Sequence, residues 1–322
     1  MDRSTMDKPK ILVTGANGFI GSELVIHLSV LGYDLRKSIR GTLPSRNDNN
    51  FVYVPTLDEN TCWGQALTSC DIVIHLAAQA HCNSGTKGAE LSSFMRHNFE
   101  GTINLARQAE KSGVSRFIFL SSTGVNGEQV TAGKAYSAAD QTRPHDSYTK
   151  SKCFGEEALM ELSLTSNMDV TIIRAPVVYG ENAPGSFGAL CRSIKMGIPL
   201  PLGRVHNSRN LISIDNLVDL ITNCIGNVGA SNQVFIASDG VPLSTTELCC
   251  IAGFLVNKRP RLIWLPRQLI LGLGSLLGKR NKLETLLLDF ELDISKTKEL
   301  LGWRPPYNPL ETLYRIIPIK ND

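Results

Sequence analysis

The stretch ILVTGANGFIG, residues 11–21, joins a short apolar run to a glycine-rich turn and then to the start of an amphipathic segment. Leu24, Leu28 and Leu31 continue that segment at the three- and four-residue spacing of one helix face. A strand that turns through glycines into a helix brings backbone N–H groups to the positive end of that helix, where a pyrophosphate can bind. The stretch therefore predicts the first strand, phosphate-binding turn and helix of a dinucleotide-binding domain.

Apolar runs and amphipathic segments continue to alternate through the first half of the chain. Short apolar runs predict strands, and the longer segments between them predict helices. Continuous apolar strands separated by helices indicate a parallel sheet covered on both faces, so we expect a doubly wound α/β fold. The predicted strands are residues 71–76, 116–120 and 170–174, and the predicted helices are residues 94–112 and 148–163.

Proline and glycine become frequent after residue 174, which indicates a change of architecture. We assign residues 8–174 to an NAD(P)-binding Rossmann domain and residues 175–322 mainly to a smaller C-terminal substrate-binding lobe. We also expect segments of the chain to be interleaved between the two lobes.

The composition is that of a globular protein, with 42% hydrophobic and 20% charged residues among 322. The formal net charge is only +3, and the lysines and arginines are scattered without an aromatic-basic motif, so we expect no nucleic-acid partner. The eight cysteines form no C-x-x-C pair and no cluster with histidine at metal-ligand spacing. They predict reduced thiols and no metal site.

Two segments, residues 1–9 and residues 268–278, are candidates for a signal peptide or a membrane span. Residues 1–9 are polar and lack the apolar core of a signal peptide. Residues 268–278 are eleven uncharged residues interrupted by glycines; they are too short to span a bilayer and indicate a packed helix. We therefore expect a cytoplasmic protein without a transmembrane segment.

The second strand candidate, residues 33–40, should end with the group that reads the adenosine ribose of the dinucleotide. Its acid, Asp34, lies at the beginning of the strand, too early to bond the 2′-hydroxyl. Arg40 lies at the end, where a guanidinium could bind a 2′-phosphate through paired hydrogen bonds. This pattern favours NADP(H) over NAD(H). The alternative is that Arg36, Lys37 and Arg40 are solvated surface charges.

Tyr148 and Lys152 stand four residues apart, hence on one face of a predicted helix. A neighbouring ammonium could bring the pKa of the phenol toward neutrality, so that Tyr148 exchanges a proton with a substrate oxygen. The hydroxyls of residues 121–123 follow a predicted strand at its carboxyl end, where ligands of such sheets bind. The alternatives are a helical surface pair and a Ser/Thr turn.

These features together resemble the extended short-chain dehydrogenase/reductase superfamily, in its NAD-dependent epimerase/dehydratase branch that acts on nucleotide sugars. The resemblance covers essentially the whole chain. Its anchors are TGANGFIG at 14–21, HLAA at 75–78, Asn98 with Gly101-Thr102, SST at 121–123, YTKSK at 148–152, VYG at 178–180, Arg209 and LGWRPP at 301–306.

The resemblance implies roles for individual residues. The implied catalytic set is Ser122, Tyr148 and Lys152, with the last two also contacting the cofactor. Further implied cofactor contacts are Gly15, Gly18, Phe19, Ile20, Gly21, Asp58, Leu76, Ala77 and Ala78. The implied substrate contacts are His81, Thr123, Phe187 and Arg209, the last at the nucleotide diphosphate. A homodimer through the helices near 94–112 and 148–163 is also implied.

Several reactions of that branch remain open. Dehydratases of the family carry Asp-Glu where this chain has Thr123-Gly124, so dehydration is disfavoured. We expect a UDP-4-keto-6-deoxy-N-acetylhexosamine 4-reductase of O-antigen or capsule sugar synthesis. The alternative is a UDP-hexose or UDP-N-acetylhexosamine 4-epimerase using the same residues. A third hypothesis is a noncatalytic NAD(P)-sensing protein. The complete catalytic set argues against it.

Overall fold

The computed structural model describes residues 8–40, 50–80, 87–128, 130, 134–276, 278 and 280–309. The strands are β1 Lys10–Thr14, β2 Asp34–Ile39, β3 Phe51–Tyr53, β4 Ile72–His75, β5 Arg116–Ser122, β6 Asp169–Ala175, β7 Val178–Tyr179, β8 Ile212–Ser213 and β9 Gln233–Ile236. The helices are α1 Phe19–Val30, α2 Gly64–Leu67, α3 Lys87–Phe94, α4 Gly101–Lys111, α5 Ser147–Thr165, α6 Gly185–Lys195, α7 Ile214–Gly226, α8 Thr245–Leu255, α9 Arg267–Leu276, α10 Arg280–Leu287 and α11 Ser295–Leu301.

Seven strands form one parallel sheet in the order β3-β2-β1-β4-β5-β6-β9. The order reverses between β1 and β4, and this is the point at which open α/β sheets bind ligands. Strand β4 is buried along its whole length because helices cover both faces of the sheet. The doubly wound α/β fold expected from the sequence is confirmed.

Two apolar cores flank this sheet. On one face α1 and α7 pack through Leu24, Leu28 and Leu217; on the other α4 and α5 pack through Leu105 and Leu159. Residues after 175 thus return to the sheet: β9 pairs with β6 at its edge, and α7 packs on one of its faces. Trp303 packs in the first core and donates a 2.7 Å hydrogen bond to Asp219 Oδ2 on α7.

The helix expected over residues 94–112 is built from three pieces. Helix α3 passes into a π-helical segment, Met95–Glu100, and then into α4. The wider turn places Asn98 in the buried interior rather than on the helix surface. Such π-helical turns often occur at functional sites.

No helix in the described ranges combines the length and the apolarity needed to cross a membrane. The described residues also hold no cluster of three or more His, Cys, Asp or Glu side chains that could bind a metal ion.

Candidate active site

The glycine turn after β1 forms one wall of a cleft at the carboxyl edge of the sheet. Gly15 has a φ of +68°, and a Cβ there would lie 3.0 Å from the backbone nitrogen of Ala77. A Cβ on Gly21 would lie 2.1 Å from the carbonyl oxygen of Gly15. The turn and α1 can approach this closely only because glycine has no side chain.

The first turn of α1 is suited to an anion. Gly18 is the N-cap of the helix and has no side chain with which to cap the first N–H groups. Those groups are therefore available to a pyrophosphate at the positive end of the helix dipole.

Six of the predicted cofactor residues line this cleft. Two walls come from the glycine turn and from the segment after β4, and Arg40 contributes from the end of β2. The six are Gly15, Gly18, Arg40, Leu76, Ala77 and Ala78. The remaining turn residues, Phe19, Ile20 and Gly21, lie in the first turn of α1. Phe19 and Ile20 pack against the apolar core next to the turn.

Trp63 also lines the cleft and was not predicted from the sequence. Its side chain is 1% exposed, and its Nε1–H has no hydrogen-bond acceptor among the described residues. A buried donor without a partner is costly unless a ligand supplies the acceptor. This donor, the uncapped helix and the two crowded glycines fit a dinucleotide, whose phosphates and adenine carry the missing acceptors.

Arg40 and Asp34 lie at opposite ends of β2, and the predicted ribose contact of Arg40 stays a prediction. Arg40 directly follows β2 and is exposed; its carbonyl oxygen accepts a 3.3 Å hydrogen bond from Asn17 Nδ2. Asp34 lies at the opposite end of the strand, where it forms a 3.3 Å ion pair with Lys10. Asp34 therefore lies at the end of β2 away from the cleft, and Arg40 is one of the residues that line the cleft.

Asp58 is 4% exposed and its carboxylate is engaged by neighbours. Arg96 Nη2 donates to Oδ2 at 3.0 Å, and the Thr61 hydroxyl donates to Oδ1 at 3.0 Å. Although burial acts against it, these hydrogen bonds and the Arg96 charge lower the pKa of Asp58. The neighbouring Leu57 lines the cleft, and the predicted contact of Asp58 with adenine stays a prediction.

The predicted catalytic residues lie where the end of β5 meets the beginning of α5. Ser122 ends β5, and its Oγ accepts a 3.1 Å hydrogen bond from Gly124 N. Tyr148 lies in the first turn of α5, with its ring 6.0 Å from that of Phe94 in an edge-on arrangement. Lys152 is 2% exposed, and its Nζ donates 2.8 Å to the carbonyl oxygen of Leu120.

The start of α5 is held by a capping box at Asp146. The Thr149 N–H donates 2.7 Å to Asp146 Oδ1, and the Thr149 hydroxyl accepts from the Asp146 N–H at 3.1 Å. Such a cap stabilises a helix start by about 1 kcal/mol. It also fixes the residue at which α5 begins, and Tyr148 lies in the first turn.

Burial dominates the titration of both residues. It lowers the pKa of Lys152 to about 7, opposed by the Glu156 carboxylate. Burial, followed by the Asp146 carboxylate, raises the pKa of Tyr148 to about 12. The protein alone therefore shifts the phenol away from the direction expected from the sequence, since desolvation disfavours the phenolate. Ionisation of Tyr148 then requires additional positive charge in the closed site.

A buried hydrogen-bonded network joins the glycine turn to α5. His75 Nδ1 lies 2.7 Å from Thr14 Oγ1, and His75 Nε2 lies 2.9 Å from Thr102 Oγ1. The Thr102 hydroxyl donates 2.7 Å to the carbonyl oxygen of Asn98. Asn98 Nδ2 in turn donates 3.1 Å to Ser151 Oγ, whose hydroxyl donates to the Tyr148 carbonyl oxygen.

This network selects one tautomer of His75. Thr14 Oγ1 already accepts from the Leu76 and Ala77 N–H groups, so its hydroxyl hydrogen is free to donate to Nδ1. His75 is then protonated at Nε2, and its side chain is fully buried. Burial lowers its pKa to about 3, with a further contribution from the Lys152 charge. The HLAA pattern includes His75, but residue spacing in the sequence does not indicate that Thr14 and Thr102 are its hydrogen-bond partners.

The predicted substrate residues lie in different environments. Thr123 and Phe187 are each 2% exposed, and Phe187 packs 5.9 Å from the Tyr179 ring in a lobe core. Arg209 is partly buried, with Nη1 donating 2.9 Å to the carbonyl oxygen of Leu288 at the end of α10. His81 lies outside the described residues. The substrate roles of all four stay predictions.

The chain is similar to a known protein family and to known proteins. The sequence model described as the NAD dependent epimerase/dehydratase family matches residues 11–237, which span β1 to the end of β9. The chain is 38% identical over 298 residues to a UDP-glucose 4-epimerase of Vibrio cholerae, covering 92% of this chain and 90% of that protein.

Two solved structures show the same fold. MoeE5 in complex with UDP-glucose and NAD has a TM-score of 0.75 at 21% identity, over 95% of this chain and 97% of MoeE5. A UDP-N-acetylglucosamine 4-epimerase from Bacillus cereus has a TM-score of 0.76 at 20% identity, over 96% of this chain and 98% of that one. The chain belongs to the NAD-dependent epimerase/dehydratase family.

Proposed function

We propose that this enzyme is a UDP-sugar 4-epimerase that acts on a UDP-hexose or UDP-N-acetylhexosamine. The observation that carries the proposal is the junction of β5 and α5, which holds Ser122, Tyr148 and the buried Lys152 at the same carboxyl edge of the sheet as the glycine-turn cleft. The relatives favour epimerisation: the Vibrio cholerae protein and the Bacillus cereus structure are both named as 4-epimerases. The reductase expected first from the sequence has no such support.

A bound dinucleotide supplies the acceptor, and later the donor, of the hydride at C4. Tyr148 takes the proton of the C4 hydroxyl in the first half of the reaction and returns it in the second. Ser122 donates a hydrogen bond to the same oxygen as it becomes a carbonyl. Lys152 adds positive charge at the buried end of the site, and an oxidised dinucleotide would supply the additional positive charge that ionisation of Tyr148 requires. Inversion requires the ketosugar to present its other face before the hydride returns.

Water elimination is disfavoured by the shape of the loop after β5. Family dehydratases need an acid pair where this chain has Thr123 and Gly124. A Cβ at Gly124 would lie 2.6 Å from Thr149 Cγ2 and 3.3 Å from Ser122 Oγ. A glutamate there would require the Thr149 side chain, at least, to shift.

Incubation with UDP-N-acetylglucosamine or UDP-glucose, without added dinucleotide, tests the proposal. We expect conversion to the C4 epimer, detected by chromatography of the nucleotide sugars. Stoichiometric consumption of NADPH with a UDP-4-keto-6-deoxy sugar, without epimer formation, would establish the reductase instead. Tight dinucleotide binding without turnover of any UDP-sugar would favour the hypothesis of a noncatalytic NAD(P)-sensing protein.

We also propose that NADP(H) is preferred over NAD(H), because Arg40 lines the cleft at the ribose position. Removing a charged hydrogen-bond partner costs about 1.5–3 kcal/mol, or about 10- to 150-fold in affinity. We therefore expect Arg40→Gln to weaken NADPH binding by such a factor while leaving NADH binding unchanged. Lys37→Gln, on the same strand but outside the cleft lining, is the matched control. Equal affinities of wild type for both cofactors would contradict the preference.

A cytoplasmic homodimer that pairs α4 and α5 completes the proposal. Phe154 on α5 is 47% exposed and packs 6.0 Å from Phe99, which leaves an aromatic pair for a partner helix. Light scattering should give twice the chain mass for wild type and a smaller mass for Phe154→Asp. A monomeric wild-type protein would exclude the dimer.

A further inference from the structure

The outer face of α9 and of the segment before it carries large apolar side chains that nothing in the described chain covers. Trp264 is 59% exposed, Ile263 48%, Leu269 55% and Leu276 85%. Ile270, on another face of α9, is 2% exposed and anchors the helix. The segment expected to form a packed helix is therefore packed on one side only.

Positive charge is concentrated in the same region. Residues 248–283 contain seven lysines and arginines and no aspartate or glutamate. Because the whole chain carries only +3, the remainder is net negative, and the scattered distribution expected from the sequence does not hold here. Arg259, Arg261 and Arg267 are exposed, and no carboxylate of the described residues pairs with them.

The base of this region is firmly attached to the lobe. The Thr245 hydroxyl donates to the carbonyl oxygen of Leu286, and Asn207 Nδ2 donates 2.8 Å to that of Leu288. These contacts hold the end of α10, which packs against α9. Substitutions on the outer face can therefore test binding without dismantling the fold.

We propose that Ile263, Trp264, Leu269 and Leu276, with the arginines around them, form a surface that binds an anionic lipid bilayer. Indole rings favour the headgroup region, and aliphatic side chains enter the acyl boundary. Arginines near an anionic surface each contribute about 1 kcal/mol, which is about fivefold in affinity. Charge complementarity selects this occupant, because an apolar face alone would suit a protein equally well.

The three tryptophans provide a built-in probe. Trp63 and Trp303 are 1% and 3% exposed, so a change in emission on membrane contact reports Trp264. We expect a blue shift and co-flotation when the full chain meets vesicles containing phosphatidylglycerol, weak binding to pure phosphatidylcholine, and release at high salt. No binding to phosphatidylglycerol vesicles would overturn the proposal.

Variants locate the binding surface. We expect Arg259→Gln with Arg261→Gln to weaken vesicle binding about 25-fold, and Trp264→Ser to abolish the blue shift and weaken binding. The matched controls lie elsewhere: Lys298→Gln with Arg304→Gln, and Val30→Ser, an 83% exposed position on α1. Controls that bind as weakly as the test variants would overturn the assignment.

A second copy of the chain is the competing occupant. If Leu276→Ser lowers the mass found by light scattering and wild type ignores vesicles, the face is a protein interface and the proposal is wrong. Vesicle binding is measured without substrate, so its failure would leave the proposed epimerase activity untouched, and the reverse also holds.

Discussion

The Nζ atom of Lys152 donates a 2.8 Å hydrogen bond to the main-chain carbonyl oxygen of Leu120, two residues before Ser122 at the end of β5. The same Nζ lies 4.3 Å from the centroid of the Phe119 ring. A lysine from α5 is thus bound to the central sheet. The carbonyl dipole and the aromatic face both favour its ammonium form, against the cost of burial.

This burial makes the stability of the protein depend on pH. The pKa of Lys152 is about 7 in the folded chain and about 10.5 when unfolded. Between these values the unfolded chain binds more protons, so folded-state stability rises with pH and is lowest below pH 7. We expect the free energy of unfolding to rise by about 2 kcal/mol from pH 7 to 9 through this group. Denaturant titrations of Lys152→Met should lack the increment, whereas the exposed control Lys150→Met should keep it.

Tyr148→Phe removes the proton-transfer group and keeps the ring against Phe94. We expect kcat to fall by about 10²- to 10⁴-fold, the range for a lost general acid–base, with dinucleotide affinity little changed. The control Tyr33→Phe removes a hydroxyl at the start of β2 and should keep full activity. Full activity of Tyr148→Phe on the true substrate would refute the mechanism.

A buried ion pair joins Arg174 on β6 to Glu156 on α5. Arg174 Nη2 donates 2.7 Å to Glu156 Oε2, and Nε donates to the same carboxylate. We expect Glu156→Gln to lower the free energy of unfolding by about 3–5 kcal/mol, because it strands a buried guanidinium. Replacing both residues with Met should recover part of the loss. The exposed pair of Asp34 with Lys10 is the contrast, and Asp34→Asn should cost less than about 1 kcal/mol.

His75 should contribute to acid denaturation. Its pKa is about 3 when folded and about 6.5 when unfolded, so the stability it provides is present above pH 6.5 and lost as pH falls toward 3. We expect His75→Gln to be less stable at pH 7 but less sensitive to pH between 6.5 and 4, by up to about 3 kcal/mol. His206→Gln, at an exposed position, should keep the wild-type slope. Identical slopes for all three proteins would show that His75 is not buried in neutral form.

Gly21→Ala tests the turn. The added methyl would meet the Gly15 carbonyl at 2.1 Å, so the turn must open and the N–H groups of α1 lose their alignment. We expect dinucleotide affinity to fall at least about tenfold and stability by about 1–3 kcal/mol, the cost of overpacking. Gly64→Ala, where a Cβ meets nothing within 4 Å, is the matched control. Unchanged affinity of Gly21→Ala would separate the turn from cofactor binding.

Local patterns were sufficient for the fold class and for much of the cleft. The apolar run and glycines of residues 11–21 predicted β1, the turn and α1, because backbone geometry and helix dipoles act over a few residues. The four-residue spacing of Tyr148 and Lys152 likewise predicted a shared helix face. Patterns of this kind do not report burial, so they did not indicate that Phe187 lies in a core or that the outer face of α9 is exposed.

The sequence by itself determined the order of strands and helices, the glycine turn and the residue types at the candidate active site, since each depends on near neighbours in the chain. Tertiary structure alone decided which groups lie in low dielectric. It lowers the pKa of Lys152, raises that of Tyr148 and leaves the Trp63 Nε1–H without an acceptor among the residues that the structure describes. The physical reason is that desolvation depends on the atoms packed around a group, and those atoms come from elements far apart in the sequence.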